Sequence, residues 1–127
     1  MDKVYDIYLE KIKIGITAFE KADAPMGVVF GNITFLNIPS PYKFLKEYCL
    51  QNSLAFTNDP KDKFISTFDI PNLQVINLEG IEIKGISNSI AGMDNEDYEI
   101  SIIGIPYPFY EKEFPHHVKL YNDQFKS

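Results

Sequence analysis

The sequence predicts a single α+β domain, residues 1–127, built on a mainly antiparallel sheet of about five or six strands with two helices. Three observations carry that prediction. The length of 127 residues fits one compact domain. Apolar residues make up 45% of the chain, and ten Phe and eight Tyr add large rings to bury, unlike the composition of a disordered chain. Hydrophobic spacing changes along the chain between a period of two and a helical period, with strand-like segments in the majority.

The elements follow in order. Residues 11–19 alternate Ile12, Ile14 and Ile16 with Lys13, Gly15 and Thr17, the pattern of a half-buried strand. Residues 20–26, with Asp23 and Pro25, form the loop to a second strand over 28–38. That strand is apolar on both faces, as a central strand is, and Gly31-Asn32 suggests a bulge. Ser40-Pro41 reads as a helix start, and Phe44, Leu45, Tyr48 and Cys49 repeat at helical spacing, so a helix spans 41–52. Residues 57–63 read as an exposed turn and 64–68 as a short strand. Residues 73–78 and 81–86 flank Glu79-Gly80 as a hairpin, Gly80 taking the left-handed conformation. A loop over 88–96 and a strand over 97–105 follow. Phe114, Val118, Tyr121 and Phe125 fall on one helical stripe, and a closing helix spans 115–125.

Charge narrows the function classes. Twelve Lys, no Arg and eighteen Asp plus Glu give a net charge of -6. That balance counts against nucleic-acid binding, which relies on Lys and Arg to displace phosphate counterions. The longest uncharged run, nineteen residues over 24–42, contains three prolines and two asparagines, so no membrane partner is expected. The amino terminus lacks the basic start and apolar stretch of a secretory leader, and a cytoplasmic location is the expectation. A single Cys excludes an intrachain disulfide and a thiolate zinc cage.

No catalytic signature emerges, and the expectation is a protein without enzymatic activity, cofactor or metal. His116 and His117 are adjacent, so on a helix their rings diverge by about 100° and do not easily share one ion. Cys49 lies on the apolar helix face, as a small core residue does. No glycine-rich phosphate loop and no nucleophile elbow occur.

The charge is unevenly placed. Residues 1–63 are neutral by formal count, and the whole excess falls in residues 64–127. Four of those acids, Asp94, Glu96, Asp97 and Glu99, cluster around Tyr98, and Glu111 and Glu113 flank Lys112 beside Tyr110. One-signed patches of this kind steer association with a partner of opposite charge. The expected partner-binding residues are therefore Asp94, Glu96, Asp97, Tyr98, Glu99, Tyr110, Glu111 and Glu113, the two tyrosines acting as aromatic anchors. The prolines of Ile105-Pro106-Tyr107-Pro108 make a stiff bridge into the closing helix.

The run Gly104-Ile105-Pro106-Tyr107-Pro108-Phe109-Tyr110-Glu111-Lys112-Glu113-Phe114-Pro115-His116-His117-Val118 resembles small bacterial immunity proteins, the antidotes encoded beside contact-dependent growth-inhibition and other polymorphic toxins. The resemblance implies a cytoplasmic, non-enzymatic protein that binds one cognate toxin domain stoichiometrically and occludes its active site or substrate path. Such toxins are often nucleases with basic surfaces, which an acidic antidote complements. It implies no architecture and transfers no binding residue by position. Two other readings stay open: a small-ligand module with a pocket lined near Pro106, and a metal-dependent hydrolase using His116 or His117. A homodimer paired through the apolar strand at 28–36 is compatible with each.

Overall fold

In the computed structural model, which describes residues 3–125, the expected α+β class is present, as two antiparallel sheets and three helices. The strands are β1 (Tyr5–Leu9), β2 (Ile12–Thr17), β3 (Lys21–Asp23), β4 (Val28–Asn32), β5 (Thr34–Phe35), β6 (Phe56–Asp59), β7 (Phe64–Thr67), β8 (Leu73–Ile76), β9 (Ser87–Met93) and β10 (Tyr98–Ile103). The helices are α1 (Pro41–Gln51), α2 (Phe109–Glu113) and α3 (Pro115–Asp123). A smaller sheet runs β5-β2-β1-β8 and a larger one β3-β4-β10-β9-β7-β6. Both sheets feed one core, with Ile7 and Val75 from the smaller and Ile65, Ile90 and Ile100 from the larger. Each such side chain contributes about 1.5–3 kcal/mol on burial. Among the described residues no helix is long and apolar enough to cross a membrane.

Several elements differ from expectation for identifiable reasons. The strand expected over 11–19 is the second half of a hairpin. Tyr5, Ile7 and Leu9 of β1 are buried while Asp6 and Tyr8 are half-exposed, and Glu10 and Lys11 make the turn with φ of 51° and 66°. The strand expected over 28–38 divides between sheets. Its first part pairs with β10; at Ile33, whose N–H donates to Tyr98 O, the chain crosses over, and Thr34 pairs with Ile16. Gly31 marks no bulge. A Cβ there would lie 2.6 Å from Thr17 Oγ1 and 2.8 Å from Phe19 Cα, so its role is to let two backbones approach. β3 and β10 flank β4 on both sides, so the edge that remains from the expected strand is that of β5, at the end of the smaller sheet.

The expected hairpin at 73–86 shrinks to β8 and one bridge between Ile76 and Glu82. Asn77 closes that bend, its Oδ1 accepting from the N–H groups of Glu79 and Ile81, while Gly80 has the expected positive φ, 83°. The largest correction is β9, expected as a loop over 88–96. It is the longest strand, paired with β10 on one side and β7 on the other. Residues 57–59, expected to begin an exposed turn, belong to the edge strand β6. The closing helix ends at Asp123, and α2, which was not expected, precedes it. Helix α1 matches expectation, with Ser40 Oγ accepting from Lys43 N–H at 3.2 Å and Pro41 in the first turn.

Candidate functional site

The larger sheet brings two hairpin turns side by side. Phe64 pairs with Met93, and the N–H of Asp94 donates to Lys63 O at 3.2 Å, so residues 60–63 and 94–97 share one end of the sheet. Asp59, Asp62, Asp94, Glu96 and Asp97 converge there with Lys61 and Lys63, a formal charge of -3. Asp59 and Asp62 were not among the expected residues. Their turn chemistry was legible, but only the β7–β9 register, which rests on the unexpected strand, places them beside residues 94–97.

Within this group Asp94 is structural. Its carboxylate accepts hydrogen bonds from Ser40 Oγ, from Tyr42 N–H at 2.9 Å and from Tyr98 OH at 2.7 Å. It thereby ties the β9–β10 turn to the amino-terminal end of α1, where a negative charge is favoured by unpaired N–H groups. Burial pushes its carboxyl pKa up, but the three hydrogen bonds and the nearby Lys63 prevail and leave it below the ordinary value. Glu96 and Asp97 are exposed at the tip. Glu99, two residues further on, is half-exposed and paired with Lys21 at 3.1 Å.

The remaining expected contacts separate from this end. Tyr98 is 4% exposed, packed edge-on against Phe35, with burial first and the Asp94 carboxylate second holding its phenol well above the usual range. It is a core residue and cannot serve as an anchor. Tyr110 lies at the far end of β10, about 17 Å away for a six-residue strand. It is fully buried, and its OH donates to Val28 O at 2.9 Å, so it too is core. Glu113 is 7% exposed. Its Oε2 accepts from Tyr5 OH at 2.8 Å and Lys3 Nζ at 3.4 Å, and its Oε1 from Asn77 Nδ2 at 2.9 Å. That carboxylate joins α2 to the smaller sheet and is withdrawn from any partner. Glu111 is exposed, on the opposite end from residues 94–97. The eight expected residues therefore form no single face; Asp94, Glu96 and Asp97 stay together, and Asp59 and Asp62 join them.

The residues of the other readings are equally placed. His117 is buried, its Nε2 2.8 Å from Phe19 O, and its ring packs 4.0 Å from that of His116. Among the described residues no three His, Cys, Asp or Glu side chains are grouped to hold a metal ion. Cys49 is fully buried, and desolvation raises its thiol pKa. The segment near Pro106 covers the sheet's end: Tyr107 OH donates to Ala24 O at 2.7 Å, and the Tyr107 and Tyr110 rings stack. An apolar groove of about 360 Å³ lies elsewhere, between the β1–β2 hairpin and α1, walled by Leu9, Ile12, Ile14, Leu36 and Phe44.

No known protein family, no curated protein and no solved structure matches this chain. The geometry therefore defines its class as a two-sheet α+β domain with an acidic sheet end.

Proposed function

We propose that this protein is an immunity protein: it binds a cognate bacterial toxin domain of basic surface, such as a nuclease, and occludes the active site or substrate path in a stoichiometric complex. The observation that supports the reading is the pairing of two turns with five carboxylates and two lysines at one end of the larger sheet. The Asp94 N–H bond to Lys63 O holds the backbones of the two turns together, so the exposed carboxylates of Asp62, Glu96 and Asp97 are presented from one place to a lysine- or arginine-rich surface. The resemblance of residues 104–118 supplies the partner class. On this reading the protein works in the cytoplasm and has no catalytic activity of its own.

Co-expression with the product of the neighbouring reading frame tests it. The expected result is restored growth and copurification at one-to-one stoichiometry. Growth arrest with no copurified chain would count against it. The apolar groove favours the small-ligand reading instead. Its expected signature is saturable one-to-one binding of a fluorescent apolar probe, lost in Ile12→Asp with thermal stability retained.

A further inference from the structure

The apolar groove beside α1 adjoins the acidic end of the larger sheet. Its walls are fixed from the backbone outward. Leu36 N–H donates to Ile14 O at 2.9 Å, and Asn37, with φ of 58°, turns the chain out of the smaller sheet toward α1. On the helix, Phe44 and Tyr48 stand four residues apart and share one face. Tyr48 OH donates to Glu10 Oε1 at 2.7 Å, which ties that face to the β1–β2 hairpin and sets the width of the groove.

Asp94 is the link between groove and acids. Its carboxylate accepts from Ser40 Oγ and Tyr42 N–H, and the groove residues Ile38 and Phe44 lie two positions before the first and two after the second. At the helical rise, Phe44 is only about 3 Å further along the axis than Tyr42. One partner surface laid on the turns at 60–63 and 94–97 therefore extends over the groove.

Two properties select the occupant. The rim is wet: Ile12 is 68% exposed and Leu36 38%, so a small molecule in the groove keeps much of its surface in water, whereas ligand sites bury most of the ligand. The neighbouring polar groups are committed, Tyr48 OH to Glu10 and Lys13 Nζ to Asp6 at 3.0 Å, and offer little to orient a ligand's polar atoms. What fits is an apolar side chain carried on a surface broad enough to cover the rim. Taking the immunity reading as its basis, we infer that the toxin domain seats a large apolar side chain, aromatic or branched aliphatic, in this groove while its basic residues face Asp62, Glu96 and Asp97. The two parts then divide the work: exposed carboxylates speed encounter, and the desolvated apolar anchor slows dissociation.

Binding kinetics with the purified product of the neighbouring reading frame test the division. The double variant Ile12→Ser, Leu36→Ser removes apolar surface from the rim without changing charge. It is expected to dissociate at least about tenfold faster than wild type and to associate within about twofold of the wild-type rate. Methyl NMR of the wild-type complex gives a reading independent of any effect of the variant on folding. Saturation of the partner's protons is expected to pass to the methyl groups of Ile12 and Leu36. An unchanged dissociation rate in a folded double variant, or no transfer to these methyl groups, would overturn the inference and leave the immunity reading standing. Absence of any complex would overturn both.

Discussion

Chemically identical side chains of this protein have opposite assignments. Glu111 and Glu113 flank the same lysine, yet one is solvated and the other accepts three hydrogen bonds inside the fold. Glu113→Leu leaves Tyr5 OH and Asn77 Nδ2 without their acceptor and is expected to cost about 3 kcal/mol, whereas Glu111→Gln stays within about 0.5 kcal/mol. Urea denaturation of the two variants checks the contrast. For Asp94 the pH dependence follows from its depressed carboxyl pKa. The native state gives up this proton more readily than the unfolded chain, whose value is near the ordinary 3.8. Its stabilisation is therefore complete above that value and is lost as pH falls through the lower folded value. Glu10, held low by hydrogen bonds from Tyr48 OH and Asn72 Nδ2, acts in the same direction. Wild-type stability is expected to fall as pH drops below about 5, and Asp94→Asn to flatten that fall without abolishing it. Tyr5, Tyr98 and Tyr110 carry phenols raised first by burial, so they hold their protons where unfolded phenols ionise. Their stabilisation is complete below about pH 10 and is lost as pH rises. Ultraviolet titration is expected to show these three ionising only as the protein unfolds.

At the scale of the element, legibility depended on whether the deciding interaction was local. Helix α1 was readable because Ser40-Pro41 and the apolar spacing lie within one short segment. β9 was not, because Ser87-Asn88-Ser89-Ile90-Ala91-Gly92-Met93 has weak strand propensity, and its structure comes from partners on both sides. Gly92 looked like loop punctuation, but a Cβ there would lie 2.4 Å from Asp97 O and 2.8 Å from the Tyr98 ring. Gly92→Ala is therefore expected to cost about 2 kcal/mol by overpacking, measured as a lowered thermal midpoint. A true loop position would tolerate alanine. Tyr98 alternates with Ile100 and Ile102, which already points it inward; what the local sequence does not give is the surroundings of Tyr98 and Tyr110, Phe35 and Val28, which are far away in the chain.

For the whole molecule, the uneven charge of the sequence was legible, and its shape was not. The acids of residues 64–127 do not make one face. The fold sends Asp94, Glu96 and Asp97 to one end of the larger sheet and Glu111 to the other, and it recruits Asp59 and Asp62 from the neutral half of the chain. A charge-reversed interface is therefore best made from Asp62, Glu96 and Asp97, leaving Asp94 to hold the turn. The most direct measurement is the association rate of the purified chain with the proposed partner, the product of the neighbouring reading frame, followed against salt. Wild type is expected to associate rapidly and to slow steeply as salt rises. The triple variant Asp62→Lys, Glu96→Lys, Asp97→Lys is expected to associate at least about tenfold more slowly at low salt, with a shallower salt dependence and unchanged folding. Equal rates and equal salt dependence in the two proteins would contradict the assignment of this acidic end as the binding surface.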